Sequence, residues 1–220
     1  MRNLLKKLLS PILKKASAIY LKKPRLYSYK NISVSVHPGV FPPFLTISTK
    51  MLLDFIHPMD LNGKSVLELG CGCGILSILA AKKGAKATAS DINQVALDAL
   101  RKNSAANNVV VEIIYSDLFE NLDSRSFDLI LINPPYYPRD PQSVAEQAWF
   151  CGSDFNYFTR LFSQLSNLFG PPEIFIILSE DCDLETIFKL ASQQNLELTV
   201  VLEKRVAGEK TFIFSITGAE

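Results

Sequence analysis

The sequence predicts an α/β domain built on a seven-stranded, mostly parallel sheet with helices on both faces. From Lys64 onward, short apolar runs alternate with helical segments, the pattern of a parallel sheet that is covered on both faces. The 220 residues, 48% hydrophobic and 20% charged, are enough for one full domain with its own core and exclude a disordered chain. The last two predicted strands are joined by 204–209, which is too short for a helix. This short connection indicates an antiparallel closing strand.

The individual elements follow from hydrophobic periodicity. The predicted strands of the sheet are 64–69, 86–90, 109–115, 127–132, 173–178, 196–203 and 210–216. The helices predicted between the first six are about 75–83, 93–107, 154–169 and 183–194. Upstream, the alternation of Ile32, Val34 and Val36 with serines predicts a further strand, and residues 46–57 read as a helix.

Charge is distributed unevenly along the chain. Residues 1–30 contain nine basic residues and no acid, whereas the rest of the chain has a net charge of −8. We therefore predict a basic amphipathic arm over residues 1–30 and one domain over residues 31–220. Apolar residues recur in the arm at helical spacing, with Pro11 as an interruption. Three roles stay open for the arm: packing on the domain, binding nucleic-acid phosphates, or lying on a membrane surface.

The cysteines indicate a cytoplasmic protein without a metal site. Cys71, Cys73, Cys151 and Cys182 form no zinc-type repeat, and the chain has only two histidines. Reduced thiols are typical of a cytoplasmic protein. No stretch reaches 18 consecutive apolar residues, so no membrane-spanning helix is predicted. Lysine pairs break the apolar stretches of the N-terminus, so no secretory signal is predicted either.

A glycine-rich turn, Glu68-Leu-Gly-Cys-Gly-Cys-Gly74, follows the first strand of the sheet. Glycines at a strand-to-helix junction allow a tight turn and a close approach of a ligand to the backbone. The dinucleotide fingerprint needs its third glycine at position 75, where Ile75 stands. The spacing therefore argues against a nicotinamide-dependent oxidoreductase.

Two further acids follow the next two strands. Asp91 ends the second strand, where a carboxylate can accept hydrogen bonds from both hydroxyls of a ribose. Asp117, with Leu118 beside it, follows the third strand, where an acid can accept a hydrogen bond from the amino group of an adenine. Three acids at neighbouring strand ends suit a positively charged nucleoside and would repel a pyrophosphate. The alternative for each acid is a helix N-cap, which is most plausible for Asp91.

The fourth strand ends in Asn133-Pro-Pro-Tyr136. The nitrogen of a planar NH2 group is a poor nucleophile because its lone pair is delocalised. The Asn133 side-chain carbonyl and the Pro134 backbone carbonyl can both accept from such a group, and the prolines restrict the backbone around them. Two fixed acceptors orient the nitrogen and stabilise the charge that develops on it. The Tyr136 ring can stack on the planar group.

With these motifs in place, residues 66–133 resemble the cofactor half of class I S-adenosylmethionine-dependent methyltransferases. Asn133-Pro-Pro-Tyr136 resembles the amino-group subgroup, the methyltransferase small domain, which contains release-factor glutamine and RNA adenine or guanine N-methyltransferases. The resemblance implies a Rossmann-like fold with S-adenosylmethionine as cofactor. It implies a cofactor site formed by Glu68, Gly70, Cys71, Gly72, Gly74, Asp91, Ile92, Asp117, Leu118 and Asn133. It also implies catalytic roles for Asn133, Pro134, Pro135 and Tyr136.

The basic arm favours a nucleobase amine in RNA or DNA as the methyl acceptor. A glutamine of a release factor, a small-molecule nitrogen, and a non-catalytic RNA- or membrane-binding module stay open as alternatives. The sequence does not indicate an oligomeric state.

Two segments are candidates for the walls of the site. The loop 37–48 offers Phe41, Phe44 and Thr46, although a packed cap is an equal alternative. The stretch 137–152 offers Trp149 and Phe150, which either stack on a target or belong to the core.

Overall fold

The computed structural model describes residues 22–122, 126–168, 172–206 and 209–218. Residues 1–21, most of the predicted arm, lie outside the described residues. The strands are β1 (Arg25–Tyr29), β2 (Ile32–Val36), β3 (Ser65–Leu69), β4 (Lys86–Asp91), β5 (Glu112–Tyr115), β6 (Leu129–Ile132), β7 (Glu173–Ser179), β8 (Leu196–Val206) and β9 (Glu209–Gly218). The α-helices are α1 (Ser48–Ile56), α2 (Ile75–Lys82), α3 (Gln94–Ala106), α4 (Asn156–Leu165) and α5 (Leu184–Ser192).

The predicted sheet is confirmed. Its seven strands lie in the order β5-β4-β3-β6-β7-β9-β8. The first five are parallel to their neighbours, whereas β9 is antiparallel to both β7 and β8. The antiparallel strand is therefore inserted beside β7 rather than added at the edge. The order reverses direction at β3, so the carboxyl ends of β3, β4 and β6 surround a crevice of the kind that binds ligands in open α/β sheets.

Two hydrophobic clusters cover the two faces of the sheet. One cluster contains the buried sides of α1, α2 and α3, and the other contains those of α4 and α5. In α4 the buried residues are Phe158, Leu161, Phe162 and Leu165, which is the spacing of a single apolar helix face. All four residues of β6 are buried, as expected for a central parallel strand.

The strand β1 was not predicted. Its five residues pair antiparallel with β2, and Tyr27 and Tyr29 face inward while Leu26 is exposed. Asn103 of α3 and Asn107, the residue that follows this helix, hold the hairpin. Asn103 and Asn107 each exchange two hydrogen bonds with the backbone of β2, at Ser35 and Ser33 respectively. Each asparagine amide thus bonds both the N–H and the C=O of one β2 residue, as the backbone of a neighbouring strand would, and this fixes the hairpin to the helix.

Within the described residues, no helix is long and apolar enough to span a membrane.

Candidate active site

The glycine-rich turn leaves β3 with its backbone anchored to the neighbouring strand. The N–H groups of Gly70 and Cys71 both donate to the carbonyl of Ser90, each at 2.9 Å. Gly70 has φ +72°, and a Cβ added to it would meet no atom within 4 Å. The positive φ therefore favours glycine at this position, and the space beside the turn is open.

Gly74 has a different role from the other two glycines. It precedes α2 with φ +72°, and a Cβ at this position would collide with Leu100 of α3. It does not line the cavity described below. The structure places Gly74 in the packing between two helices.

A cavity of about 490 Å³ opens beside this turn, at the carboxyl edge of the sheet. Its volume lies within the range of about 300–1,000 Å³ that is usual for small-molecule sites. The cavity brings together most of the residues predicted to bind the cofactor. These are Glu68, Gly70, Cys71, Gly72, Asp91, Ile92, Asp117, Leu118 and Asn133, with Pro135 also on the wall.

Glu68 is the deepest acid of this cavity. The residue is 5% exposed, and its carboxyl group accepts hydrogen bonds from the N–H of Ser77 at 2.8 Å and from the Ser77 hydroxyl. Burial raises the pKa of Glu68 to about 8, and the nearby Asp91 adds to this rise. At neutral pH the apoprotein therefore holds this side chain mainly in its protonated form.

Asp91 holds the turn from the end of β4. One of its oxygens accepts from the N–H of Gly72 and the other from the N–H of Asn93, both at 2.8 Å. The helix-cap alternative for Asp91 is wrong, because the side chain of Asn93 caps α3 by accepting from Val95 N–H at 3.0 Å. Burial raises the pKa of Asp91 in spite of these hydrogen bonds.

Asp117 has a partner that the sequence did not reveal. Arg160 of α4 donates to Asp117 at 2.8 Å and to Glu120 at 2.9 Å. Arg160 also lines the cavity, together with Tyr157 from the same helix. Arg160 contacts one carboxylate oxygen of Asp117, and the second oxygen takes no part in this ion pair.

Ser90 supplies an unused polar group. Its side chain is 1% exposed and lines the cavity, yet its hydroxyl has no hydrogen-bond partner among the described residues. A buried polar group without a partner is costly, so this hydroxyl is suited to bonding a ligand.

A second cavity of about 260 Å³ lies next to the first. Asn133 lines both cavities, and Pro134 and Tyr136 line the second. We call this second space the acceptor cavity. The end of β6 therefore separates the cofactor side of the site from the acceptor side.

The side chain of Tyr136 contacts Asn133. Its hydroxyl donates to Asn133 Oδ1 at 3.3 Å, and a side-chain hydrogen bond joins it to Ser48 at the start of α1. Burial raises the pKa of Tyr136 well above its ordinary value, so the hydroxyl keeps its proton and remains a donor. This support of Asn133 was not predicted.

The candidate wall residues divide between the two cavities. Phe41 lines both, Thr46 lines the acceptor cavity, and Phe44 lines neither because it packs against the core. Trp149 lines the acceptor cavity, with its ring 4.9 Å from that of Phe41. Phe150, by contrast, lines the cofactor side.

The far wall of the acceptor cavity was also missed. It comes from the paired ends of β7 and β9 and consists of Ser179, Asp181, Glu209 and Thr211. No local motif marks these residues, because only the insertion of β9 beside β7 brings them to the site.

The four cysteines are buried thiols with raised pKa values. All four are buried, and burial raises the pKa of each thiol above its ordinary value. Among the described residues, no group of three or more His, Cys, Asp or Glu side chains is placed to hold a metal ion.

Comparison with known proteins agrees with this geometry. The sequence model of the methyltransferase small domain matches residues 31–150. A putative protein N5-glutamine methyltransferase of Methanocaldococcus jannaschii is 41% identical over 110 residues, which are 50% of this chain and 53% of that protein. A ribosomal RNA small subunit methyltransferase C of Hamiltonella defensa is 35% identical over 115 residues, covering 51% of this chain and 34% of that protein.

A solved structure shows the same fold. The 16S rRNA N2 G1207 methyltransferase of T. thermophilus, in complex with S-adenosylmethionine and guanosine, superposes with a TM-score of 0.60 at 21% identity. The superposition covers 88% of this chain and 50% of that one. The matched segments span about half of the first curated relative and about a third of the second. The family match covers more than half of the residues of this chain, so the chain belongs to the methyltransferase small domain family.

Proposed function

We propose that this chain is an S-adenosylmethionine-dependent N-methyltransferase whose acceptor is a planar amino nitrogen of a nucleobase in RNA or DNA. The observation that carries the proposal is the position of Asn133 between two cavities. A methyl donor in the first cavity and an amino group in the second would meet beside this one side chain.

The first cavity fits the proposed cofactor. Its acidic residues include Asp91, Asp117 and Glu68, of which Glu68 would ionise when a cation binds, while Arg160, the arginine among its described lining residues, is already paired with Asp117. This charge suits a cationic nucleoside, and the unpartnered Ser90 hydroxyl offers it a further hydrogen bond. When bound, S-adenosylmethionine supplies an electrophilic methyl group on a sulfonium sulfur.

The chain's own residues handle the acceptor. Asn133 Oδ1 and the carbonyl of Pro134 would accept hydrogen bonds from the two N–H groups of the acceptor nitrogen. Tyr136 fixes the Asn133 amide by donating to the same oxygen, which has a second lone pair free. This fixed orientation directs the nitrogen lone pair toward the first cavity and stabilises the charge that grows on the nitrogen. No strong base is needed, because the methylated ammonium product loses its proton readily.

The nucleobase assignment is supported by the nine basic residues of positions 1–30, which suit a phosphate backbone. A relative that is 35% identical acts on ribosomal RNA by its name. Protein glutamine is the second candidate, because the 41% identical relative is named for it. Four unpaired cysteines support a cytoplasmic site of action.

The deciding experiment uses cofactor labelled on its methyl group. The protein is incubated with a lysate of cells that lack it, and nucleic acid, protein and small molecules are then separated. We expect the label in nucleic acid. Label in a protein band would replace the nucleobase with a glutamine side chain, and label only among small molecules would replace it with a small amine.

Replacing Asp91 with alanine should weaken binding of S-adenosylmethionine by about 10- to 100-fold, the effect of losing hydrogen bonds to a charged group. The change removes both the proposed ribose contact and the anchor of the Gly72 N–H. Titration calorimetry measures the dissociation constant. Asp98→Ala is the matched control, because Asp98 is an exposed acid on α3 that pairs with Arg101. An unchanged dissociation constant in the Asp91 variant would contradict the ribose assignment.

Replacing Tyr136 with phenylalanine keeps the aromatic wall and removes one hydrogen bond to Asn133. We expect kcat to fall about three- to tenfold, the usual net value of one neutral hydrogen bond, while cofactor affinity stays constant. Steady-state kinetics at saturating cofactor measures the change. A fall in cofactor affinity in place of kcat would show that Tyr136 supports the first cavity and not Asn133.

A further inference from the structure

The helix α4 turns a polar side toward the loop that carries Asp117. Tyr157, Arg160 and Gln164 are three and four residues apart in the helix, so they lie along one side of it. Tyr157 and Arg160 line the first cavity, and Gln164 accepts a hydrogen bond from the N–H of Phe119 at 3.0 Å. Side chains of α4 therefore hold the loop that follows β5.

The backbone of this loop has an uncommon conformation at the cavity wall. Leu118 lines the first cavity, is 6% exposed and has φ +51°. A leucine keeps a positive φ where the surrounding structure determines it. The Ser116 hydroxyl does so here, because it donates to the Leu118 carbonyl at 2.8 Å and accepts from the N–H of Asn121 at 3.0 Å. The backbone of Asp117, between these residues, is thereby fixed.

The guanidinium of Arg160 fixes the side chain of Asp117. Its Nη2 donates to Asp117 Oδ2 at 2.8 Å and to Glu120 Oε1 at 2.9 Å. The side chains of Arg160 and Asp117 are 35% and 34% exposed, whereas that of Glu120 is 56% exposed and is not among the described residues of the cavity wall. Since solvent screens the less exposed pair less, the contact with Asp117 is the stronger one.

The second oxygen of Asp117, Oδ1, takes no part in this ion pair. A carboxylate oxygen is an acceptor only, so it can accept from the 6-amino group of adenine. Hypoxanthine and guanine have a carbonyl oxygen at the same position, whose lone pairs would face those of the carboxylate. A carboxylate that is free to turn could avoid this repulsion, so the selection of the base depends on how firmly Asp117 is held.

We propose that Arg160 is a positioning residue of the cofactor site, which holds Asp117 Oδ2 so that Oδ1 accepts from the purine amino group and which thereby sets a preference for adenine over hypoxanthine. This inference rests on the proposed function, because it assumes that the first cavity binds S-adenosylmethionine.

The first test measures dissociation constants by titration calorimetry for S-adenosylhomocysteine and for S-inosylhomocysteine, in which hypoxanthine replaces adenine. We expect the parent to prefer the adenine compound at least about tenfold and Arg160→Gln to reduce this preference to about threefold or less. Arg160→Lys should keep an intermediate preference, because an ammonium group can still donate to Asp117 but lacks the planar geometry of a guanidinium.

The outcomes separate the inference from the proposed function. Equal affinity of the parent for the two compounds, or an unchanged preference in Arg160→Gln, would overturn the inference and leave the proposed function intact. A parent that binds neither compound would overturn the proposed function itself.

A double-mutant cycle shows whether Arg160 acts through Asp117. In the Asp117→Ala background, Arg160→Gln should change the remaining preference by less than about twofold, because the side chain that Arg160 positions is gone. An equal effect of Arg160→Gln in the two backgrounds would overturn the positioning role.

Two further variants control for the loss of a surface charge. Arg101→Gln removes an arginine that pairs with Asp98 at 2.6 Å on α3 and is not among the described residues of either cavity. Glu120→Gln removes the second partner of Arg160 and leaves its contact with Asp117. We expect both variants to keep the preference of the parent within about twofold. A loss of preference in either of them would overturn the assignment to the pair of Arg160 and Asp117.

Discussion

Replacing Asn133 with alanine is expected to lower kcat by about 100- to 1,000-fold, the usual loss when one preorganised polar group of an active site is removed. Asn133 lines both cavities and holds the acceptor carbonyl that Tyr136 orients. Alanine leaves the acceptor nitrogen with one fixed partner, so its lone pair is no longer directed. Single-turnover methyl transfer measures the rate without interference from product release.

Cofactor affinity distinguishes this effect from misfolding. We expect the dissociation constant for S-adenosylmethionine to change less than about threefold, because the main polar groups of the first cavity lie on other strand ends. Asn167→Ala provides a matched control, since Asn167 is exposed beyond α4 and lines neither cavity. Full activity of the Asn133 variant would refute the orienting role.

Replacing Glu68 with glutamine should change how the protein responds to pH. Burial raises the folded-state pKa of Glu68 to about 8, whereas the unfolded chain has the ordinary value near 4.3. Below that ordinary value both states are protonated, so the contribution of Glu68 to stability is fully present. As the pH rises toward 8, the unfolded state alone ionises, and the free energy of unfolding falls by about 1.4 kcal/mol per pH unit.

Glutamine cannot ionise, so its variant should lose this dependence. We expect Glu68→Gln to unfold at a higher denaturant concentration than the parent at pH 8 and at a similar concentration at pH 4. Denaturant titrations at the two pH values measure the difference, with the exposed Glu185→Gln as control. Equal pH dependence in parent and variant would show that Glu68 does not carry the raised pKa.

Cofactor binding should favour the ionised form of Glu68, whereas folding favours its protonated form. A cationic ligand favours the ionised form of Glu68, so its binding at pH 7 should release about one proton from the parent and none from Glu68→Gln. Calorimetry in buffers of different ionisation enthalpy counts this proton. A parent that binds without proton release would indicate that the cationic group lies away from Glu68.

The sequence predicted what depends on local patterns. Continuous apolar runs located every strand of the large sheet, and the motif at residues 68–74 located the turn that lines the first cavity. Strand β1 was missed because its periodicity is weak and its stability comes from pairing with β2 and from asparagines more than 60 residues away.

Parts of both cavities depend on residues that are distant in the chain. Arg160 lies 43 residues beyond Asp117, and Glu209 lies 28 residues beyond Asp181. Their proximity follows from how α4 and β9 pack on the sheet. A single sequence carries no local signal for such pairs. In the motif Asn133-Pro-Pro-Tyr136, by contrast, four consecutive residues are enough to indicate the chemistry.

Asn103 of α3 limits how far the chain can be shortened at its N-terminal side. Besides its two bonds to Ser35, Asn103 donates to the carbonyl of Cys73 in the glycine-rich turn. A fragment that begins at residue 31, where the family match begins, would keep β2 and remove its partner β1. Fraying of the unpaired β2 would then free Asn103, and the loss would reach the cofactor turn through this shared side chain. We therefore expect the smallest competent fragment to start at or before Arg25, so that β1 is kept whole.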